Sequence, residues 1–250
     1  MELAGLDIQD IDAILITHEH SDHISGAGVL ARKLGIPLYL TEQTGKGMIL
    51  KEIVLRGRNT SEVNLGSMTG NDVIEYFPSL RIGRVPEPRF FQANEPLKIG
   101  DFNIRPFSIS HDAVDPVGFL MECRGVRVGV CTDLGVVPHY IKMILNNADI
   151  LFFESNHDTH MLEYGPYEPA LKSRVKSNLG HLSNLDAAKA LLDIIGDRTK
   201  HILLSHLSEN NNTSAKAYHT VRGMLREFHL FPELHLTRRN GISEIISIEK

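Results

Sequence analysis

The chain has 250 residues, 42% hydrophobic and 23% charged, with a formal net charge of −5. Composition is that of an ordinary globular protein. No run reaches the roughly 18 apolar residues of a membrane span, and the acidic start MELAGLDIQD is neither a signal nor a transit peptide, so a cytoplasmic protein with no membrane partner is expected. The acidic balance leaves any nucleic-acid partner to a local basic patch.

In chain order, residues 12–17 (DAILIT) read as a short buried strand. Residues 21–34 carry a helical apolar pattern that Gly35 and Pro37 end, and residues 38–41 read as the next strand, a β-loop-α-β opening with a parallel sheet. Residues 45–96 give weak signals: several glycines, Pro78, Pro86 and Pro88, arginines 56, 58, 81, 84 and 89, and an amphipathic segment at 71–77. They read as an irregular excursion, an insertion or lid within a single domain spanning 1–250. Strands follow at 102–109, 117–123 and 126–132, the last two a hairpin turning at Arg124-Gly125. Cys123 and Cys131 flank that turn and are read as reduced core thiols rather than a disulfide. A helix at 138–146, a buried strand at 148–154, a helix at 183–195 capped by Ser183 or Asn184, a strand at 201–205, a helix at 213–228 and two closing strands around Gly241 complete an α/β pattern.

Thirteen histidines and no tryptophan direct attention to histidine clustering. His18-Glu19-His20-Ser21-Asp22-His23 puts three imidazoles and two carboxylates within six residues, in the loop between a strand and a helix, where α/β proteins carry their sites. Imidazole and carboxylate together suit zinc, manganese or iron, and alternate spacing lets neighbouring residues face different ions.

His-x-His-x-Asp-His after an apolar strand resembles the signature of the metallo-β-lactamase superfamily. The resemblance implies an αββα sandwich, here lacking the strand pair that members carry ahead of the position of Met1. It also implies further ligands at later strand ends, met by His111 in Ile109-Ser110-His111-Asp112, Asp133 in Cys131-Thr132-Asp133, and His206 in Leu203-Leu204-Ser205-His206. By the same resemblance two divalent ions, zinc or manganese, are bound: His18, His20 and His111 on one, Asp22, His23 and His206 on the other, Asp133 between. Such a pair lowers the pKa of bound water from 15.7 to about 7.

The segments between ligands are most similar to those of the YycJ/WalJ group, bacterial proteins regarded as DNA exonucleases: Ser110-His111-Asp112-Ala113, Glu154-Ser155-Asn156-His157-Asp158, Gly165-Pro166-Tyr167 and Gly180-His181-Leu182-Ser183-Asn184. In the related ribonuclease Z and J groups, a histidine ahead of a comparable helix stabilises the scissile phosphate or protonates the leaving oxygen. His181 holds that position here, and Glu154 is either its orienting partner or a buried structural carboxylate. Asp22 and His181 with Glu154 form the catalytic set; His157 is either a supporting histidine or an ordinary one. Lys172, Arg174 and Lys176, with Asn156 and Ser183, are candidate phosphate contacts. His139, His160, His201, His219, His229 and His235 are read as ordinary histidines.

The resemblance implies a metal-dependent phosphodiester hydrolase, a 5′–3′ exonuclease on double-stranded DNA ends, with oligomeric state left open. Three other readings remain: a ribonuclease with the same site, a thioester or lactone hydrolase that needs neither the basic stretch nor His181, and a non-catalytic metal-binding module.

Overall fold

A computed structural model describes residues 5–57, 60, 63–238 and 241–248. It contains two sheets. The smaller is parallel, in the order β1-β2-β3, from β1 (Ile14–Leu15), β2 (Leu38–Thr41) and β3 (Pro88–Phe91). The larger runs β10-β9-β8-β7-β6-β5-β4, from β4 (Leu97–Ile99), β5 (Phe102–Ser108), β6 (Val117–Cys123), β7 (Val126–Cys131), β8 (Ile150–Glu154), β9 (His201–Ser205) and β10 (Glu233–Leu236). The chain divides into two compact units, Met1–Gly100 with Ala113–Val117, and Asp101–Asp112 with Gly118–Lys250.

In the first unit, the 21–34 pattern forms two helices, α1 (Ser21–Ile24) and α2 (Ala27–Leu34), rather than one. Gly26 separates them, and Gly35 ends α2 in left-handed backbone at φ +68°, which glycine adopts without steric cost. A 3-10 turn (Ile8–Asp10) leads into β1. The stretch at 45–96 is more regular than its sequence suggests. It holds most of α3 (Glu42–Leu55), α4 (Gly70–Tyr76) with a Thr69–Asp72 capping box, and β3. Met48, Ile49, Ile53, Val73, Phe77, Leu80, Ile82 and Val85 share a core with Ile16, Leu38 and Leu40. The helix α3 escapes a periodicity reading because it is buried on several sides: Thr44, Gly45, Lys46 and Gly47 are all inside. At Gly45 a Cβ would meet Val73 at 2.5 Å. Arg56 bonds Glu52, and Arg89 bonds Glu87 and Tyr39; Arg58 lies outside the described residues.

In the second unit, β6 and β7 form the expected antiparallel hairpin, while β7, β8, β9 and β10 are parallel neighbours. Both cysteines are free thiols; Cys123 pairs with Val126 across the hairpin, and burial pushes the Cys131 thiol far up. The helices α5 (His139–Leu145), α8 (Asn184–Ile194) and α9 (Ser214–Glu227) were legible in the sequence; α6 (Thr159–Tyr164) and α7 (Pro169–Lys176) were not. Phe153, Leu151, Ile202 and Leu204 of the sheet pack with Leu145, Leu191, Val221 and Leu225 of the helices. Each such burial contributes roughly 1.5–3 kcal/mol. Of the two closing strands, β10 is present and ends at Leu236; the described residues 241–248 form none.

Parallel pairing sets Cys131 beside Phe153 and Glu154 beside Ser205. The residues at and just past the C-terminal ends of β7, β8 and β9 therefore converge on one edge of the sheet.

Candidate metal centre

The first unit supplies the loop from His18 to His23. Thr17, at the end of the first strand segment, is anchored by Val117 N–H donating to its carbonyl. Its hydroxyl lies 3.0 Å from Nδ1 of His18 and 3.2 Å from Nδ1 of His23. A hydroxyl oxygen accepts two hydrogen bonds, so both Nδ1–H groups can donate to Thr17, leaving both Nε2 lone pairs for a cation. The His18 ring, fully buried, sits 4.6 Å from that of His20 and 4.1 Å from that of His23. Three imidazoles this close repel one another if protonated; neutral rings around a cation do not. Asp22 Oδ2 stands 3.6 Å from Nε2 of His23, a separation two ligands of one ion can share. Glu19 turns the other way and accepts from the Val114 amide, which fixes the loop. Nothing in the sequence signals the part Thr17 plays, and Glu19 stands in the cluster without a sign of its anchoring role.

The second unit gathers His111, Asp133, Glu154, His181 and His206. Asp133 lies two residues past the end of β7 and His206 directly follows β9, and both take left-handed backbone, at φ +61° and +56°. Non-glycine residues held there cost about 1–3 kcal/mol each and cluster at functional sites. The strained turns bring His206 Nε2 to 3.2 Å from Asp133 Oδ1, and His111 Nε2 lies 4.0 Å from the same oxygen. His111 donates from Nδ1 to the Gly180 carbonyl, 3.2 Å away. Burial lowers its pKa, favouring the neutral ligand form.

Glu154 is fully buried at the end of β8. Its Oε1 accepts from Nδ1 of His181 at 2.8 Å and Nδ1 of His206 at 2.9 Å; its Oε2 accepts from the amides of Leu134 and Leu182. Burial alone would raise its pKa, yet these histidine hydrogen bonds outweigh it and hold the carboxyl below its ordinary value. Asp133, Glu154, His181 and His206 all bring a donor atom within 4.8 Å of one another. Because Oε1 of Glu154 is already shared by two N–H groups, Glu154 acts as the holder, and Asp133 Oδ1 and His206 Nε2 are the donors.

The His181 ring lies 5.1 Å from that of His111 and 5.2 Å from that of His206. Burial lowers its pKa, but the hydrogen bond and charge of Glu154 carry it above the usual histidine value. The loop that delivers it is seated through glycines: a Cβ at Gly180 would meet the carbonyl of Val175 at 2.2 Å, and one at Gly135 that of Ser177 at 2.3 Å. Behind Glu154, Asn212 Nδ2 donates to the carbonyls of Ser155 and Asn156, and Ser155 bonds Asn184. Nothing in the sequence sets Asn212 apart from ordinary polar residues, and Asn184 stands out there only as a candidate cap and a member of the Gly180–Asn184 segment. His157 is buried in the same region, and desolvation drops its pKa to about 4, so it is neutral.

The candidate phosphate contacts are already engaged within the chain. Asn156 donates to the His206 carbonyl at 2.9 Å, and Ser183 caps α8 and bonds Asp186. Lys172 donates to the Glu163 carbonyl, and Lys176 pairs with the Glu163 carboxylate. Arg174 pairs with Asp112, next to the donor His111.

In the first unit His18 and His23, and in the second His111 and His206, tie Nδ1 to a chain oxygen, and Nε2 of His23, His111 and His206 stands within 4.0 Å of a carboxylate oxygen, donor chemistry that fits divalent metal in each unit. Comparison with known proteins agrees: residues 2–206 match the family described as the beta-lactamase superfamily domain. The chain belongs to the metallo-β-lactamase superfamily. It is 36% identical over 226 residues, 90% of its length and 74% of the relative's, to exodeoxyribonuclease YycJ of Bacillus anthracis. It is 37% identical over 219 residues, 88% of its length and 72% of the relative's, to exodeoxyribonuclease WalJ of Streptococcus pneumoniae serotype 2. The crystal structure of the metallo-β-lactamase fold protein YhfI from Bacillus subtilis matches 95% of this chain and 79% of that one, with a TM-score of 0.61 at 19% identity. The chain is therefore a YycJ/WalJ-like member of the superfamily with its α/β fold, and a metal-dependent hydrolase. Among the described residues, no helix is long and apolar enough to cross a membrane.

Proposed function

We propose that the chain is a metal-dependent exonuclease that removes nucleotides stepwise, 5′ to 3′, from the ends of double-stranded DNA. The observation that carries this reading is the carboxylate of Glu154, shared by His181 and His206, in a chain 36–37% identical to exodeoxyribonucleases. An ester or lactone hydrolase needs the donors but has no use for a second, carboxylate-charged histidine beside them. Direction and duplex preference follow the family resemblance.

By the family resemblance, His18, His20 and His111 would hold one divalent ion and Asp22, His23 and His206 the other, with Asp133 as a shared ligand; zinc and manganese suit such donors. When bound, the ions activate water and offset charge on the phosphate oxygens. With Nδ1–H donated to Glu154, whose charge favours the doubly protonated ring, His181 in its cationic form delivers the Nε2 proton to the departing 3′ oxygen. Glu154 sets the ring's orientation and favours its protonated state. Arg174, which pairs with Asp112 next to the donor His111, contacts the DNA backbone, with Lys172 and Lys176 on either side of it along α7.

The test is one set of assays with zinc or manganese: linear duplex, covalently closed duplex, RNA, and a chromogenic ester. Linear duplex is degraded and the closed circle spared. Cleavage of the circle removes the exonuclease reading, preference for RNA reassigns the substrate, and turnover of the ester alone ends the nuclease reading.

A further inference from the structure

His201, Glu233 and His235 form a cluster that the proposed reaction does not use. Along β9 and β10 the side chains alternate: Ile202, Leu204, Leu234 and Leu236 join the helical core, so His201, Glu233 and His235 share the opposite face. The parallel register sets Glu233 directly beside His201, with His235 two residues further along. His201 Nδ1 lies 3.1 Å from His235 Nε2 and 3.4 Å from Glu233 Oε2, and His235 Nε2 lies 3.8 Å from the same oxygen. An ion bound tetrahedrally at 2.0–2.1 Å separates its ligands by about 3.3–3.4 Å, so this triangle has the dimensions of one coordination face.

The surroundings point the same way. Glu244 Oε2 accepts from His235 Nδ1 at 2.7 Å, which fixes the tautomer with the Nε2 lone pair turned toward His201 and Glu233, as carboxylates behind metal-bound histidines do. Two carboxylates beside two imidazoles make a locally anionic pocket. Both histidine side chains are mostly buried, 14% and 8% exposed. His201 stands at the start of β9 and His206 follows its end, five residues or roughly 17 Å away, so the cluster is separate from the candidate centre.

We propose that His201, Glu233 and His235 bind a further divalent cation, zinc in preference to magnesium or calcium because two of three ligands are imidazoles. Glu244 supports the site from behind, and the ion ties the edge strand β10 and the segment carrying Glu244 to β9. On binding, His201 carries its proton on Nε2 and offers Nδ1 to the ion. The remaining position is open to water.

The test counts zinc. The full-length chain is stripped with a chelator, dialysed against buffered zinc, and its metal content measured per folded chain, for wild type, His235→Ala and Glu233→Gln. Wild type retains one zinc more per chain than His235→Ala, activity on DNA is equal, and zinc raises the wild-type melting temperature further than the variant's. Equal zinc content in wild type and folded His235→Ala overturns the site. If His235→Ala does not fold, Glu233→Gln decides, since that side chain is 72% exposed. Competition with a chromophoric chelator then shows one wild-type zinc held at least about tenfold more tightly than in the variant, and identical titration curves overturn the proposal.

Discussion

His206 and Glu154 are joined by a 2.9 Å hydrogen bond from Nδ1 to Oε1, and this bond decides which face of the imidazole meets a cation. With Nδ1–H committed, Nε2 carries the lone pair, 3.2 Å from Asp133 Oδ1. The same oxygen of Glu154 receives His181, so one buried carboxylate sets a donor histidine and a proton-bearing histidine together.

Glu154→Gln tests that coupling. The amide keeps the shape but has one acceptor oxygen and no charge for the four N–H groups around it. Metal affinity and turnover are expected to fall about 10–100-fold each, read by chelator competition and by linear-duplex degradation. Full activity in the variant refutes the shared-carboxylate assignment.

His181→Ala separates proton delivery from metal binding. Turnover is expected to drop about 10²–10⁴-fold with metal content and KM nearly unchanged. Because Glu154 raises the His181 pKa, the acid form persists above pH 6.5, and the wild-type rate falls as pH rises through the shifted value. The variant loses that alkaline limb. A variant that instead loses metal would make His181 a ligand.

Gly180→Ala bears on how the loop reaches the site. A Cβ there collides with backbone carbonyls of Arg174 and Val175 at 2.3 and 2.2 Å, atoms that cannot rotate away. A loss of about 1–3 kcal/mol is expected from this overpacking, with activity falling more than the stability loss accounts for, because His181 is the next residue. Chemical denaturation and kinetics on the same preparation check both.

The parts legible in sequence were those carried by local chemistry. Strand-end positions for Asp133, Glu154 and His206 followed from apolar runs that stop at a polar residue, and the cap of α8 was narrowed to Ser183 or Asn184, of which Ser183 holds it. The histidine loop was legible by density alone. Missed were features whose cause lies far along the chain. The helix α3 has no apolar stripe because it is buried on several sides. Thr17 matters because two imidazoles reach it, and Asn212 because it closes hydrogen bonds with residues 28 to 57 positions away. His201 and His235 seemed ordinary because only strand pairing makes them neighbours.

Asp149 gives a stability prediction independent of metal and substrate. It immediately precedes β8, where its carboxylate accepts from the Arg127 amide at 2.7 Å and Arg198 Nη2 at 2.8 Å, while its carbonyl accepts from the Lys200 amide. Burial raises its pKa, but the Arg198 and Arg127 hydrogen bonds overcome it and the net shift is downward. A carboxyl held below its unfolded value, near 3.9, stabilises the fold above that pH and loses the contribution as pH falls through the folded value. Asp149→Asn is expected to cost about 1–2 kcal/mol at pH 7, a moderate figure because Arg198 is half exposed. The gap between wild type and variant stays constant from neutral pH down to about 5 and narrows below it. Urea denaturation at pH 7, 5 and 3.5 measures this; a gap that widened with acid would mean that the carboxylate is destabilised, not stabilised, by its setting.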